Sequence, residues 1–226
     1  MLPIKSDVPL RGFPFITAGI ICCCCISFFL QMPFLSRRGL VPLDFVYTVL
    51  HPSDDLIGSI GILISSFFLH GGLLHLLGNI WFLWLFGSRL EGTIGPFRFV
   101  LVYFLSGIAA MITQVANDPL STIPIIGASG AIAGCLGRYL VQHPFSRIIL
   151  GIPPVFTIRL YAVLFLLLWF WLQWNSMMSS HPSTNGIAWW AHIGGFVFGM
   201  LSGLFYKLFP PAPKVMQSGK PKRNHH

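Results

Sequence analysis

Charge is what this chain has least of. Only 9% of its 226 residues are Asp, Glu, Lys or Arg, where a soluble domain carries roughly 25%. With 54% hydrophobic residues and a mean hydropathy of +0.75, the remainder cannot form a soluble domain. Cysteines are few and badly spaced for chemistry. Four of the five, Cys22 to Cys25, are consecutive, and neighbouring helix positions splay by about 100°. They cannot converge on one metal and have no Cys-x-x-Cys partner. They read as apolar filler, with lipid attachment the lesser alternative, and Cys135 reads as a small buried residue. Residues 1–35 are expected to hold the first helix and not a secretory signal. The first apolar stretch outruns the usual core of about 7–15 residues, and no small-x-small cleavage site follows it. No internal repeat is present.

Long apolar runs are what the chain has instead, and runs of about 18 residues read as membrane helices. Six are expected, near residues 14–35, 70–88, 99–117, 125–142, 155–175 and 187–209. The predicted fold class is therefore an all-α membrane protein, a bundle of six transmembrane helices over 14–209. A short cytoplasmic N-terminus (1–13) precedes it, and a basic, disordered cytoplasmic tail (210–226) follows. The net charge of +8 fits an orientation signal and no nucleic-acid partner. With the N-terminus cytoplasmic, Arg37 and Arg38 alone of the 14 Lys and Arg fall outside, an asymmetry that fixes topology. Four of the six acids, Asp44, Asp54, Asp55 and Asp118, also fall outside. The long outer connection, 36–69, holds two apolar stretches, Leu40–Leu50 and Leu56–Leu69, expected to lie on the outer leaflet.

Four polar side chains share one depth. Counting about 1.5 Å per residue from Arg89, Arg138 and Lys207, the side chains of His75, Asn79, Ser129 and His192 lie roughly 14–22 Å up their helices. Polar groups inside a membrane are costly and face a wet interior, so a shared layer implies a shared cavity. The fourth and sixth spans run parallel. Small-residue stripes (Ser129, Ala133, Gly137 and His192, Gly195, Gly199) would let them approach backbone to backbone and bring Ser129 to His192. A serine hydroxyl needs such a base to become a nucleophile. His75 and Asn79, four apart on one face, and the Ser129 amide offer donors for an oxyanion. His70 is expected to brace the outer loop. Each element has a plain alternative: Gly-x-Ser-Gly as helix packing, His75 with Asn79 as interhelical glue, the histidines as haem ligands. Glu91 and Arg98 read as turn or capping charges.

These stretches together resemble the rhomboid intramembrane serine proteases: His70-Gly-Gly-Leu-Leu-His75-Leu-Leu-Gly-Asn79, Leu90-Glu91-Gly-Thr-Ile-Gly95, Gly127-Ala-Ser129-Gly130, and Ala191-His192-Ile-Gly-Gly195 with Gly199. The resemblance covers about residues 10–210. It implies an endopeptidase with Ser129 as nucleophile, His192 as general base and no third carboxylate. His75, Asn79 and the Ser129 amide would bind the oxyanion, with His70, Gly127, Gly130, Gly195 and Gly199 in support. It further implies single-span membrane proteins as substrates, cut near the outer end of their helix within the lipid bilayer. No metal or cofactor is implied. The six-span layout looks like the prokaryotic form, in a cytoplasmic membrane with both termini inside and the site opening outward. The alternative is an inactive relative that binds membrane helices for quality control. Two positions depart from the family pattern. A Trp-Arg pair found in many members is replaced by Gly61 and Ile62, leaving the outer loop's anchor open, and the aromatic that in some members lies one turn below the serine and stacks on the catalytic histidine is replaced by Ala133, so His192 must be oriented otherwise.

Overall fold

A computed structural model describes residues 2–31, 39–51, 56–152, 156–179 and 187–209. The chain is mostly helical. In order it forms α1 (Phe15–Gln31), two short helices α2 (Pro42–Leu50) and α3 (Leu56–Ser66), then α4 (Leu73–Ile94) and α5 (Pro96–Asn117), followed by α6 (Ser129–Gln142), α7 (Ala162–Ser179) and α8 (Trp189–Leu208). Three of them, α4, α5 and α7, are long and apolar enough to cross a membrane. α1 is apolar but has only 17 residues, and α6 has 14. Sequence chemistry sets the boundaries. Gly95, at φ 86°, ends α4, and Pro96 opens α5 at a position where its missing N–H costs nothing.

The all-α expectation omits a sheet. β1 (Leu2–Ser6), β2 (Arg147–Ile152) and β3 (Phe156–Tyr161) form an antiparallel sheet in that order. The fifth predicted span therefore starts too early, because 156–161 is strand and the helix begins at Ala162. The alternation Phe156-Thr-Ile-Arg-Leu-Tyr161 is a period-2 signal that the adjoining apolar run concealed. Residues 32–35 of the first span, the arginines at 37 and 38 and the tail 210–226 lie outside the described residues.

α6 is the buried axis of the molecule, with every residue from Gly130 to Val141 buried. It packs most extensively on α8, then α5 on α8 and on α6. The contact stripe differs from the expected one by a helical notch. Gly130 and Gly134, rather than Ser129 and Ala133, face α8. A side chain at Gly195 would strike the Gly130 carbonyl, one at Gly199 the Gly134 carbonyl, and one at Gly137 the Phe196 carbonyl. Ala133 belongs instead to the buried cluster that contains Leu85, Phe86 and Leu136. The notch frees Ser129 from the packing seam.

Two charges expected at the helix ends hold helices together. The Glu91 carboxylate accepts from the Ile16 and Thr17 amides (3.1 and 2.8 Å) and the Thr17 hydroxyl (2.7 Å), so it caps α1 from α4. Arg138 does not reach up to water. It is buried, donates to the Ser202 carbonyl and lies 4.9 Å over the Tyr206 ring, tying α6 to α8. Of the cysteines, Cys24 and Cys135 are buried while Cys22 and Cys23 are exposed.

Candidate active site

Ser129 is the first residue of α6, and its approach is built by glycine. Gly127 has φ 118°, a conformation open to glycine, and a side chain there would lie 2.8 Å from the His75 ring. The loop leading in is held by the outer connection. Leu40 and Ile125 exchange backbone hydrogen bonds (3.1 and 2.8 Å), Leu43 N–H reaches the Ser121 carbonyl (3.1 Å), and Gly127 N–H reaches Ser66 (2.9 Å). α3 in turn seats Phe67 against Gly107 of α5. The outer loop is therefore anchored by backbone bonds and a buried aromatic, with Gly61 and Ile62 taking no part. Ile62 is exposed, and a side chain at Gly61 would meet nothing.

Ser129 Oγ lies 2.9 Å from His192 Nε2, and His192 Nδ1 lies 2.8 Å from Gln173 Oε1 on α7. The amide oxygen can only accept, so Nδ1 carries the proton and Nε2 presents its lone pair to the serine hydroxyl. That tautomer is the one in which imidazole can take a proton from serine. Gln173 was not anticipated from the sequence, although it is the first polar residue after an unbroken apolar run in α7, which is itself a signal. Trp189 stands edge-on to the imidazole at 5.8 Å and Trp169 lies tilted at 6.3 Å. These three side chains orient the ring where Ala133 cannot.

The pair opens into a cavity of about 740 Å³ lined also by His75 and Asn79. The Asn79 Nδ2 is buried and has no hydrogen-bond partner in the structure. A buried donor without an acceptor is costly unless a ligand supplies one. The Ser129 amide sits at a helix start whose N-cap makes no side-chain bond, so the N–H groups of that first turn have no intrahelical partner. His70 is buried just outside, with Nδ1 3.1 Å from the Phe68 carbonyl and its ring 5.1 Å from that of His75. It braces the turn before α4. α7 is less covered than α4 and α5, with 17% of its apolar stretch buried against 44% for each of them.

A helical membrane protein with serine, histidine and a cavity at the head of a glycine-packed helix pair is the class these observations define. Residues 58–208 match the Rhomboid domain. The chain belongs to the rhomboid family. It is 32% identical over 171 residues to RHOMBOID-like protein 5 of Arabidopsis thaliana, covering 73% of this chain and 52% of that one. It is 42% identical over 89 residues to the rhomboid YdcA of Bacillus subtilis, covering 39% and 44%. Against the rhomboid protease GluP of the same bacterium it is 41% identical over 78 residues, covering 34% and 15%. The matches thus span about half or less of these relatives' own lengths.

Proposed function

We propose that the chain is an intramembrane serine endopeptidase acting through Ser129 and His192. The observation that carries this reading is the 2.9 Å contact between Ser129 Oγ and His192 Nε2. Ser129 Oγ attacks the scissile carbonyl while its proton passes to Nε2. The imidazolium, held by Gln173, returns that proton to the leaving amine, and water releases the acyl group by the same base. Asn79, His75 and the Ser129 amide stabilise the oxyanion, each donor contributing a hundredfold or more. The protease name of one relative, GluP, supports the same chemistry.

Six spans, α1 and α4 to α8, cross the membrane with both termini cytoplasmic. α6 has 14 residues and spans roughly 21 Å of a core about 30 Å thick, so its serine end lies below the outer surface. Irregular backbone at that depth survives only under protein cover, which α2 and α3 supply. Single-span membrane proteins are the substrates, cut near the outer end of their helix. Family membership does not select a prokaryotic membrane, since an Arabidopsis protein is among the relatives.

The test is labelling of the purified chain by a fluorophosphonate probe together with cleavage of a single-span substrate. Both are expected to vanish in Ser129→Ala and His192→Ala. Undiminished cleavage in a purified, folded Ser129→Ala variant refutes the proposal, and helix binding without cleavage by the native chain would favour the quality-control alternative.

A further inference from the structure

The small sheet has two unlike faces. Ile148 and Leu150 of β2 turn inward with Pro3 and Ser6 of β1, all buried against the bundle. Residues paired directly across an antiparallel sheet point to one side, and Lys5 pairs with Ile149, which pairs with Arg159. Arg147, two residues from Ile149, shares that side. The outer face therefore carries Lys5, Arg147 and Arg159, with Lys5 and Arg159 two strand spacings, about 10 Å, apart. Arg89 from α4 joins them around a cleft of about 560 Å³.

These cations are poorly compensated. Asp7 is the single acid lining the cleft, and its carboxylate already accepts the Arg147 backbone N–H at 2.9 Å. Arg89 is fixed by bonds to the Trp84 carbonyl (3.3 Å) and Ser88 Oγ (3.0 Å), yet its buried Nε–H has no acceptor. Lys5 and Arg159 are not directly opposed, but like charges gathered around one cleft repel, and an anion between them offsets that repulsion. Its location selects the kind. β3 runs directly into α7 and β2 follows α6 closely, so the cleft lies at the helix ends opposite Ser129, about 20 Å along α6. Leu10 lines the cleft and is 45% exposed, with Phe13 and Phe15 exposed just beyond. Phosphate beside acyl chain is the chemistry of an anionic lipid.

We propose that this face of the sheet binds a phosphate-bearing anion, the headgroup of an anionic phospholipid. The full chain in uncharged detergent is titrated with phosphatidylglycerol, phosphatidylcholine or inorganic pyrophosphate, and bound species are counted by native mass spectrometry. Phosphatidylglycerol is expected to bind where phosphatidylcholine does not. Lys5→Gln with Arg159→Gln weakens it about thirtyfold, from the worth of each surface cation. Both residues are exposed, so folding is retained, as an unchanged thermal midpoint will verify. Arg159→Lys alone keeps affinity within about threefold, and Lys207→Gln, outside the cleft, leaves it unchanged. Pyrophosphate that binds the native chain as tightly as the lipid, and is lost in the double variant, overturns the lipid assignment in favour of a soluble phosphate. Equal phosphatidylglycerol affinity in native and double-variant proteins overturns the site.

Discussion

Replacing Gln173 by leucine removes one hydrogen bond and nearly nothing else. The side chain keeps its approximate volume in the cavity wall, but His192 Nδ1 loses the acceptor 2.8 Å away. With Trp189 and Trp169 alone beside it, the imidazole can place its proton on Nε2, where it faces Ser129 and cannot act as a base. A neutral hydrogen bond of this kind is worth about 0.5–1.5 kcal/mol net, which lowers the reactive population about five- to tenfold at the upper part of that range. Because Ser129 is untouched and leucine fills nearly the same space in the cavity wall, the loss is expected in kcat with KM little changed. Gln173→Glu retains an acceptor for the same N–H and should recover most of the rate. The assay is steady-state cleavage of a fluorescent single-span substrate in detergent, with fluorophosphonate labelling rates as a second readout. Wild-type kcat in Gln173→Leu refutes the reasoning. So does an equal fall in the leucine and glutamate variants, which would assign the effect to the packing of α7.

Asn79→Ala is expected to lower kcat about a hundredfold while leaving the thermal midpoint unchanged or raised, since it removes a buried unpartnered donor; single-turnover cleavage checks the first and thermal unfolding the second. Gly199→Ala forces a methyl onto the Gly134 carbonyl and should cost about 1–3 kcal/mol, read as a lowered unfolding midpoint together with slowed labelling of Ser129. Gly127→Ala imposes a side chain at φ 118° against the His75 ring, with about 1–2 kcal/mol of backbone strain. Its signature is lost labelling at a temperature where the native chain still reacts. Glu91→Ala leaves two amides and a hydroxyl at the head of α1 without an acceptor, a loss of about 2–3 kcal/mol; an unchanged midpoint in chemical or thermal unfolding would contradict the capping role.

Hydrophobic length and the placement of small residues are local properties, and they were readable. The runs behind α4, α5 and α8, the two outer helices, and the meeting of Ser129 with His192 followed from apolar periodicity, charge asymmetry and glycine at helical spacing. What a single residue sees across the bundle was not readable. Gln173 reaches His192 only because α7 lies beside α8, and nothing in the chain states which side of a lone amide faces inward. The glycine stripe was legible as a stripe but not to the nearest notch, since Gly130 and Ser129 are adjacent and only interhelical packing decides which one faces α8. The sheet was hidden for a related reason. β1 and β2 lie more than 140 residues apart, and a strand pairing at that separation exists only once the helices between have been assembled. By itself the sequence determined a membrane-embedded helical chain and grouped Ser129, His192, His75 and Asn79, which line one cavity. The tertiary structure decided which neighbour orients the histidine and where the cationic face gathers, because both depend on contacts between segments distant along the chain.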